Sequence, residues 1–147
     1  MTPLDKPVRR EVLIEGVAHT LTIDPDGGTA TIDEDVAGEG TLVITNGTLA
    51  VNSTATNSVR LKVAASGVLE LPDNLNFGSL ELQSGSAIVP PVDLKNRYGW
   101  QTVLVAADGV TASGCTLPAG YEMRTETVEG GVALQLRFVR GIRLIIR

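Results

Sequence analysis

Pairs of apolar residues separated by one residue recur along the first two thirds of the chain. The pairs are Leu21/Ile23, Leu42/Ile44, Leu61/Val63 and Leu80/Leu82, at spacings of 21, 19 and 19 residues. Apolar residues two positions apart lie on the same face of a strand, so each pair predicts a short strand with one buried face. Recurrence at a period of about 20 residues predicts that equivalent strands stack on one another, because a single coil cannot bury its own apolar face.

A second apolar series follows the first at a similar period. Its members are Ile32, Val51, Leu71 and Val89, with Leu49 and Leu69 as inner neighbours. The residues between apolar positions point the other way and are expected at the surface. In the first series they are Thr22, Val43, Lys62 and Glu81, and in the second they are Ala50 and Glu70. Two series per coil predict two stacked sheets.

These patterns predict an all-β fold, a parallel β-solenoid of about four coils of roughly 20 residues with a β-rich C-terminal cap. We expect one domain over residues 1–147, with an N-terminal cap at 1–16, the coils at 17–89 and the C-terminal cap at 90–147. Pro90 and Pro91 end the coils because they donate no backbone hydrogen bond. The later apolar runs are longer, and Glu129-Gly130-Gly131 predicts a hairpin loop between two of them.

The turn signals allow a second interpretation. Asn46-Gly47 is a favoured pair for a two-residue hairpin turn, which would join 41–45 to 48–52 as antiparallel neighbours. The fold would then be an antiparallel sandwich or barrel, and the spacing of the pairs would be ordinary hairpin spacing. The regular period of both series favours the solenoid, in which Asn46-Gly47 forms a corner of the coil.

Composition limits the partners of the chain. The formal net charge is −5 and the isoelectric point is about 4.8. Because nucleic-acid phosphates attract positively charged proteins, we do not expect nucleic acid as a partner. No apolar run reaches the roughly 20 residues of a membrane span, and charges between Met1 and Glu15 interrupt the apolar centre that a signal peptide needs. Aromatic residues make up 3% of the chain, which predicts an aliphatic core.

No group of residues in the sequence has the spacing of a known catalytic site. Cys115 is the one cysteine and His19 the one histidine, so no internal disulfide is expected, and nothing in the sequence brings the two side chains together. Outward Glu70 and Glu81 belong to different series. We therefore assign no catalytic, cofactor-binding or metal-binding residue and no cofactor, and we expect that the chain is not an enzyme.

Two stretches of the chain are rich in charged residues, but neither has the spacing of a known binding site. The first contains six acids without a lysine or arginine: Asp24, Asp26, Asp33, Glu34, Asp35 and Glu39. Their spacing departs from a calcium-binding loop, so we interpret them as solvated turns. The second is a run of arginines near the C-terminus, Arg137, Arg140, Arg143 and Arg147. Part of it flanks an expected edge strand at 142–146, where charge protects against aggregation.

Several segments resemble the β-strand repeats of bacterial autotransporter-like surface proteins. The repeats are GTLVITNGTLAVN (Gly40–Asn52), GVLELP (Gly67–Pro72) and GSLELQSGSAIV (Gly78–Val89). WQTVLVAADGV (Trp100–Val110), LPAGYEMR (Leu117–Arg124) and GGVALQLRFV (Gly130–Val139) resemble the end of the β-helical region of such proteins. The resemblance implies a right-handed β-helix on the cell surface or outside the cell.

Three functional hypotheses follow. The first is a non-enzymatic structural or adhesive module, with glycans or cell-envelope components as candidate partners. The second is a carbohydrate-binding or carbohydrate-degrading β-helix that uses exposed Tyr98 or Trp100. The third is a self-assembling filament or coat subunit that associates through the open ends of the solenoid.

Overall fold

The computed structural model describes residues 11–13, 19–33, 35–52, 57–112 and 114–139. The described chain is built of short strands and a single turn of 3-10 helix. The strands are β1 Glu11–Leu13, β2 Thr20–Ile23, β3 Thr29–Ile32, β4 Asp35–Ala37, β5 Thr41–Ile44, β6 Gly47–Val51, β7 Arg60–Val63, β8 Gly67–Glu70, β9 Leu75–Phe77, β10 Ser79–Leu82, β11 Ala87–Val89, β12 Gln101–Ala106, β13 Val110–Ala112, β14 Tyr121–Val128 and β15 Gly131–Phe138. The 3-10 helix spans Leu94–Asn96 between β11 and β12.

Parallel pairing between equivalent strands of successive coils confirms the solenoid. The first sheet has the strand order β13-β10-β7-β5-β2 and the second has β11-β8-β6-β3. The stack makes about three turns rather than the expected four coils. In the first sheet Leu21, Leu42, Leu61 and Leu80 stand in register. The apolar series of the sequence is therefore a physical ladder.

Burial agrees with the predicted inside and outside of the first sheet. Leu42, Ile44, Leu61 and Val63 are each at most 1% exposed. Between them, outward Lys62 pairs in register with Val43 on one side and Glu81 on the other. The core of the described chain is mainly aliphatic, with Phe77 as its buried aromatic residue. Leu21, in the terminal strand β2, remains 43% exposed.

The second series is correct except at its last member. Ile32 pairs with Val51, and Leu49 pairs with Leu69. Val89, however, is in register with outward Glu70, and it is Ile88 that pairs with Leu69. Ile88 is 1% exposed whereas Val89 is 41% exposed. A shift of one residue reverses the face of a strand, so the prediction of Val89 as an inner residue was wrong.

Asn46 and Gly47 form a corner between two sheets, and the hairpin interpretation was wrong. β5 and β6 lie in different sheets and each pairs with strands of the neighbouring coils. Asn46 has a φ of 52° and Gly47 a φ of 153°. A hairpin would need hydrogen bonds between β5 and β6, but their backbone groups are directed to the adjacent coils.

Parallel stacking continues past Val89, where the sequence pattern had suggested the end of the coils. β12 pairs parallel with β9, and β13 pairs parallel with β10. A last parallel bridge joins Ala87 to Thr116. Pro90 and Pro91 thus begin an excursion that contains the 3-10 helix, after which the chain returns to the stack. The prolines interrupt one coil without ending the solenoid.

An antiparallel hairpin completes the third sheet, whose strand order is β14-β15-β12-β9. β14 and β15 pair along eight residues each, from Tyr121↔Phe138 to Val128↔Gly131. The connection of residues 129–130 confirms the predicted hairpin loop. At the other end of the stack β1 pairs parallel with β4. The expected edge strand at 142–146 and most of the N-terminal cap lie outside the described residues.

Candidate functional site

Cys115 and His19 lie at opposite ends of the first sheet. His19 directly precedes β2, and Cys115 follows β13. Three strands lie between β2 and β13 in the sheet. At about 4.8 Å per strand spacing the sheet separates them by roughly 19 Å. Burial raises the pKa of the Cys115 thiol above its usual value, an effect that a backbone hydrogen bond partly opposes. A neutral thiol so far from the imidazole cannot form a nucleophile and base pair with it.

The acids of the first coil make hydrogen bonds to asparagines of the second. Asp24 Oδ1 accepts from Asn46 Nδ2 at 3.1 Å and from the backbone N–H of Asp26 at 2.9 Å. Asp33 Oδ1 accepts from Asn52 Nδ2 at 2.9 Å. The bonds from Asn46 and Asn52 join corners of adjacent coils, so these carboxylates have a structural role.

Among the residues that the structure describes, no group of three or more His, Cys, Asp or Glu side chains is placed to hold a metal ion. Glu34, one of the six acids of the stretch, lies outside the described residues.

Trp100 is half-buried beneath two arginines of the C-terminal hairpin. The guanidinium carbons of Arg124 and Arg137 both lie 4.5 Å from the centroid of the indole ring. Arg137 also pairs with Glu122 at 2.7 Å. Cation–π attraction and the ion pair hold these side chains on the ring. Trp100 therefore supports the hairpin, and two arginines occupy its ring in this arrangement.

A polar network continues along the same face of the third sheet. Gln135 is only 7% exposed. Its Oε1 accepts from Arg124 Nε at 2.6 Å, and its Nε2 donates to Thr102 Oγ1 at 3.1 Å. Gln135 Nε2 also lies 3.4 Å from Glu126 Oε1. The network crosses β12, β15 and β14, and it arises from strand register, which the residue pattern alone did not indicate.

Arg97 joins two loops that border an open groove. It makes a bidentate pair with Asp73, at 2.8 and 2.9 Å, and a further bond to Asp93 at 2.7 Å. The pKa of Asp73 is lowered, mainly by its hydrogen bonds with Arg97. The pKa of Arg97 is raised, mainly by its hydrogen bonds with Asp73 and Asp93. This cluster could not be predicted from the sequence, because Asp73 and Arg97 lie 24 positions apart in the chain.

The groove itself has a volume of about 310 Å³ and runs beside the second sheet. Its lining combines acidic Glu70, Asp73 and Asp93 with apolar Val92, which is 95% exposed. Arg97 neutralises part of this charge at the rim. Tyr98, in the same excursion of the chain, is 80% exposed. The groove is shallow and mixed in character, and its lining shows no group arranged for acid–base catalysis.

Asn57 secures the first coil to the second from inside. The side chain is 1% exposed, and its Oδ1 accepts the backbone N–H of Val36 at 2.9 Å. Its Nδ2 has no hydrogen-bond partner in the part of the chain that the structure describes. The Val36 N–H is a buried donor, and such donors need a partner, which the Asn57 side chain supplies here.

Of the arginine run near the C-terminus, only Arg137 is described, and it is engaged with Glu122 and Trp100. Arg140, Arg143 and Arg147 lie outside the described residues, so the predicted edge protection remains a prediction.

The fold places the chain in the class of parallel β-solenoids. Comparison with known proteins found no matching family model, no matching curated protein and no matching solved structure. Within the described ranges no helix has the length and apolar character needed to cross a membrane.

Proposed function

We propose that the chain is a non-enzymatic structural or adhesive β-solenoid module of a bacterial cell-surface or secreted protein. The observation that carries the proposal is the continuous parallel ladder from β2 to β13, in which each coil is bonded to the next along its backbone. Such a stack is a rigid spacer, because each coil depends on its neighbours for burial. It therefore fixes the distance and orientation between segments that are attached to it. The location follows from the resemblance of the repeats to autotransporter-like surface proteins.

The contacts between coils support a mechanical role. Backbone bonds at the corners, such as Arg60 N–H to Gly40 carbonyl at 3.1 Å and Ala64 N–H to Ile44 carbonyl at 3.0 Å, extend the ladder past the strand ends. The Asp24–Asn46 and Asp33–Asn52 hydrogen bonds add side-chain links between the first and second coils. A load applied along the stack would be shared by these parallel connections.

Two experiments test the proposal. Intact cells of the producing bacterium should bind an antibody against the chain, and external protease should remove that signal. Label that appears only after lysis would contradict the surface location. The purified chain, pulled between handles in a force spectrometer, should open in one or a few steps at a defined force. Gradual extension without a force peak would contradict the structural role.

A carbohydrate-binding function is the alternative, and exposed Tyr98 is the observation that favours it. The side chain of Tyr98 is 80% exposed, and its ring could stack on a sugar. A glycan array with the full chain tests this alternative, with Tyr98→Ala as the variant and Trp100→Phe as the comparison. Binding that Tyr98→Ala abolishes would favour it, and the absence of any glycan signal would remove it.

A further inference from the structure

β14 is an edge strand that is unusually long for this molecule. It has eight residues, whereas the terminal strands β13 and β2 of the first sheet have three and four. One side of β14 pairs with β15, and in the described chain no strand pairs with its other side. Unpaired strand edges are templates for the addition of another strand.

The pairing with β15 determines which backbone groups of β14 reach the open edge. Val139 N–H donates to the Gly120 carbonyl, which marks 120↔139 as a hydrogen-bonded pair. Hydrogen-bonded and non-hydrogen-bonded pairs alternate along an antiparallel ladder. The N–H and C=O groups of Glu122, Arg124 and Glu126 therefore point towards β15. The backbone N–H and C=O groups of the alternate residues, Tyr121, Met123, Thr125 and Thr127, point to the open edge of the sheet.

The side chains of β14 carry charges that complement a second copy of the same strand. Glu122, Arg124 and Glu126 alternate in sign on one face. When two β14 strands pair antiparallel with Thr125 opposite Thr125, each Arg124 stands opposite Glu126 of the other copy. In this register the edge-facing N–H and C=O groups of Met123 in one copy also lie opposite those of Thr127 in the other. A shift by one residue in each strand would set Arg124 against Arg124 or Glu126 against Glu126, which is unfavourable.

The charges of Arg124 and Glu126 stay partly exposed within one chain, although Arg124 Nε also donates to Gln135 and its guanidinium lies over Trp100. Arg124 and Glu126 approach each other at 3.6 Å, and their side chains are 42% and 51% exposed. Cross-strand pairs that are not hydrogen-bonded place their side chains close together, so Arg124 and Glu126 of two copies would make a shorter contact.

We propose that two copies of this chain associate through antiparallel pairing of β14 about a two-fold axis at Thr125. The four-stranded third sheet of each copy would join into one continuous sheet of eight strands. The partner is thus a second copy of the chain, and the contact is made by the free edge of the hairpin, at the end of the stack beyond β12. The contact is isologous and closes at two copies.

The first test is the mass of the full chain in solution. Sedimentation equilibrium at rising concentration should give a reversible monomer–dimer equilibrium. A monomer mass at every concentration up to about 1 mM, the weak end of measurable affinity, would overturn the proposal. Growth beyond the dimer would overturn it as well, because it would indicate open association, such as contact between the opposite ends of two stacks.

Charge reversal tests the register. Glu126→Arg and Arg124→Glu each set like charges opposite one another, and each should weaken dimerisation on the order of tenfold. An equal mixture of the two variants should recover association, because one copy then presents two carboxylates at positions 124 and 126 and the other presents two guanidinium groups. Failure of the mixture to associate more strongly than either variant alone would overturn the register. Glu81→Arg, an equal charge change on the first sheet, should leave the dimer unchanged.

Thr125→Pro tests the backbone part of the contact. The Thr125 N–H points to the open edge, so proline there removes a donor from the dimer and none from the pairing with β15. The variant should be monomeric and should retain the circular dichroism of the parent chain. A folded Thr125→Pro protein that dimerises with unchanged affinity would overturn strand pairing through β14.

Discussion

Leu61 and Leu21 stand in the same ladder but differ in environment. Leu61 is 1% exposed and has a ladder partner on both sides, Leu42 and Leu80. Leu21 is 43% exposed in a terminal strand of the first sheet. Because the hydrophobic contribution scales with the apolar area removed from water, the same residue type stabilises the fold unequally along the ladder.

We expect Leu61→Ala to lower the free energy of unfolding by about 2–5 kcal/mol, because a cavity remains between two packed coils. Leu21→Ala removes the same atoms from a half-exposed site and should cost roughly 1 kcal/mol. Urea denaturation followed by circular dichroism measures both. Equal losses for the two variants would contradict the stacked ladder.

The Arg97 cluster predicts a dependence of stability on pH. Hydrogen bonds from Arg97 hold the pKa of Asp73 below its ordinary 3.8, so this pair stabilises the folded state above that pH and loses its effect as pH falls through the lowered value. The Asp73 side chain is 44% exposed, which screens the pair. Arg97→Ala should therefore cost about 1 kcal/mol or less at pH 7.

The same cost should shrink as the pH falls below 3.8, the ordinary value for an Asp73 carboxyl. Thermal unfolding of Arg97→Ala and the parent chain between pH 7 and pH 2 measures the difference, with Arg60→Ala as the comparison. A cost of Arg97→Ala that stays constant over this range would show that packing, and not the ion pair, is what Arg97 supplies.

At the scale of elements, corner residues direct each strand into the correct sheet. Asn46 turns the chain from the first sheet to the second in a left-handed conformation, with φ of 52°. Its side chain also binds Asp24 of the preceding coil. Glycine follows at the same corner, where a Cβ on Gly47 would lie 2.9 Å from the Gly28 carbonyl oxygen. The corner thus requires both an unusual backbone conformation and a close approach between coils.

Two substitutions of Asn46 separate these contributions. Asn46→Gly keeps access to the left-handed conformation and loses only the bond to Asp24, whereas Asn46→Ala loses both. Asn46→Ala should therefore be less stable than Asn46→Gly by about 1 kcal/mol in chemical denaturation. If alanine were tolerated as well as glycine, the backbone conformation at this corner would not be left-handed.

At the scale of the whole molecule, stability should vary along the stack. β5 and β7 have a paired strand on both sides, whereas β13 ends the first sheet in the described chain. Native-state hydrogen exchange should therefore be slower at Leu42 and Leu61 than at Val110 and Ala112. Uniform exchange across the sheet would indicate that the molecule opens only as one cooperative unit.

The repeat and the inner ladders could be predicted from the amino-acid sequence. Leu42, Leu61 and Leu80 could be predicted because one-sided burial in a stacked fold imposes an apolar residue at a fixed period. The C-terminal hairpin could be predicted from Glu129-Gly130-Gly131, because a tight turn requires such residues locally. These features depend on neighbours in sequence or on an exact repeat, and both are visible in one chain.

Tertiary structure alone decided the rest. The face of Val89 depended on how β11 paired with β8, and a shift of one residue reversed it. Arg97 met Asp73, and Gln135 met Thr102 and Arg124, through contacts between elements distant in sequence. The open edge of β14 likewise exists only because β15 occupies its other side. The local pattern of apolar residues indicates which residues are buried. The register between strands decides which residues contact one another across strands.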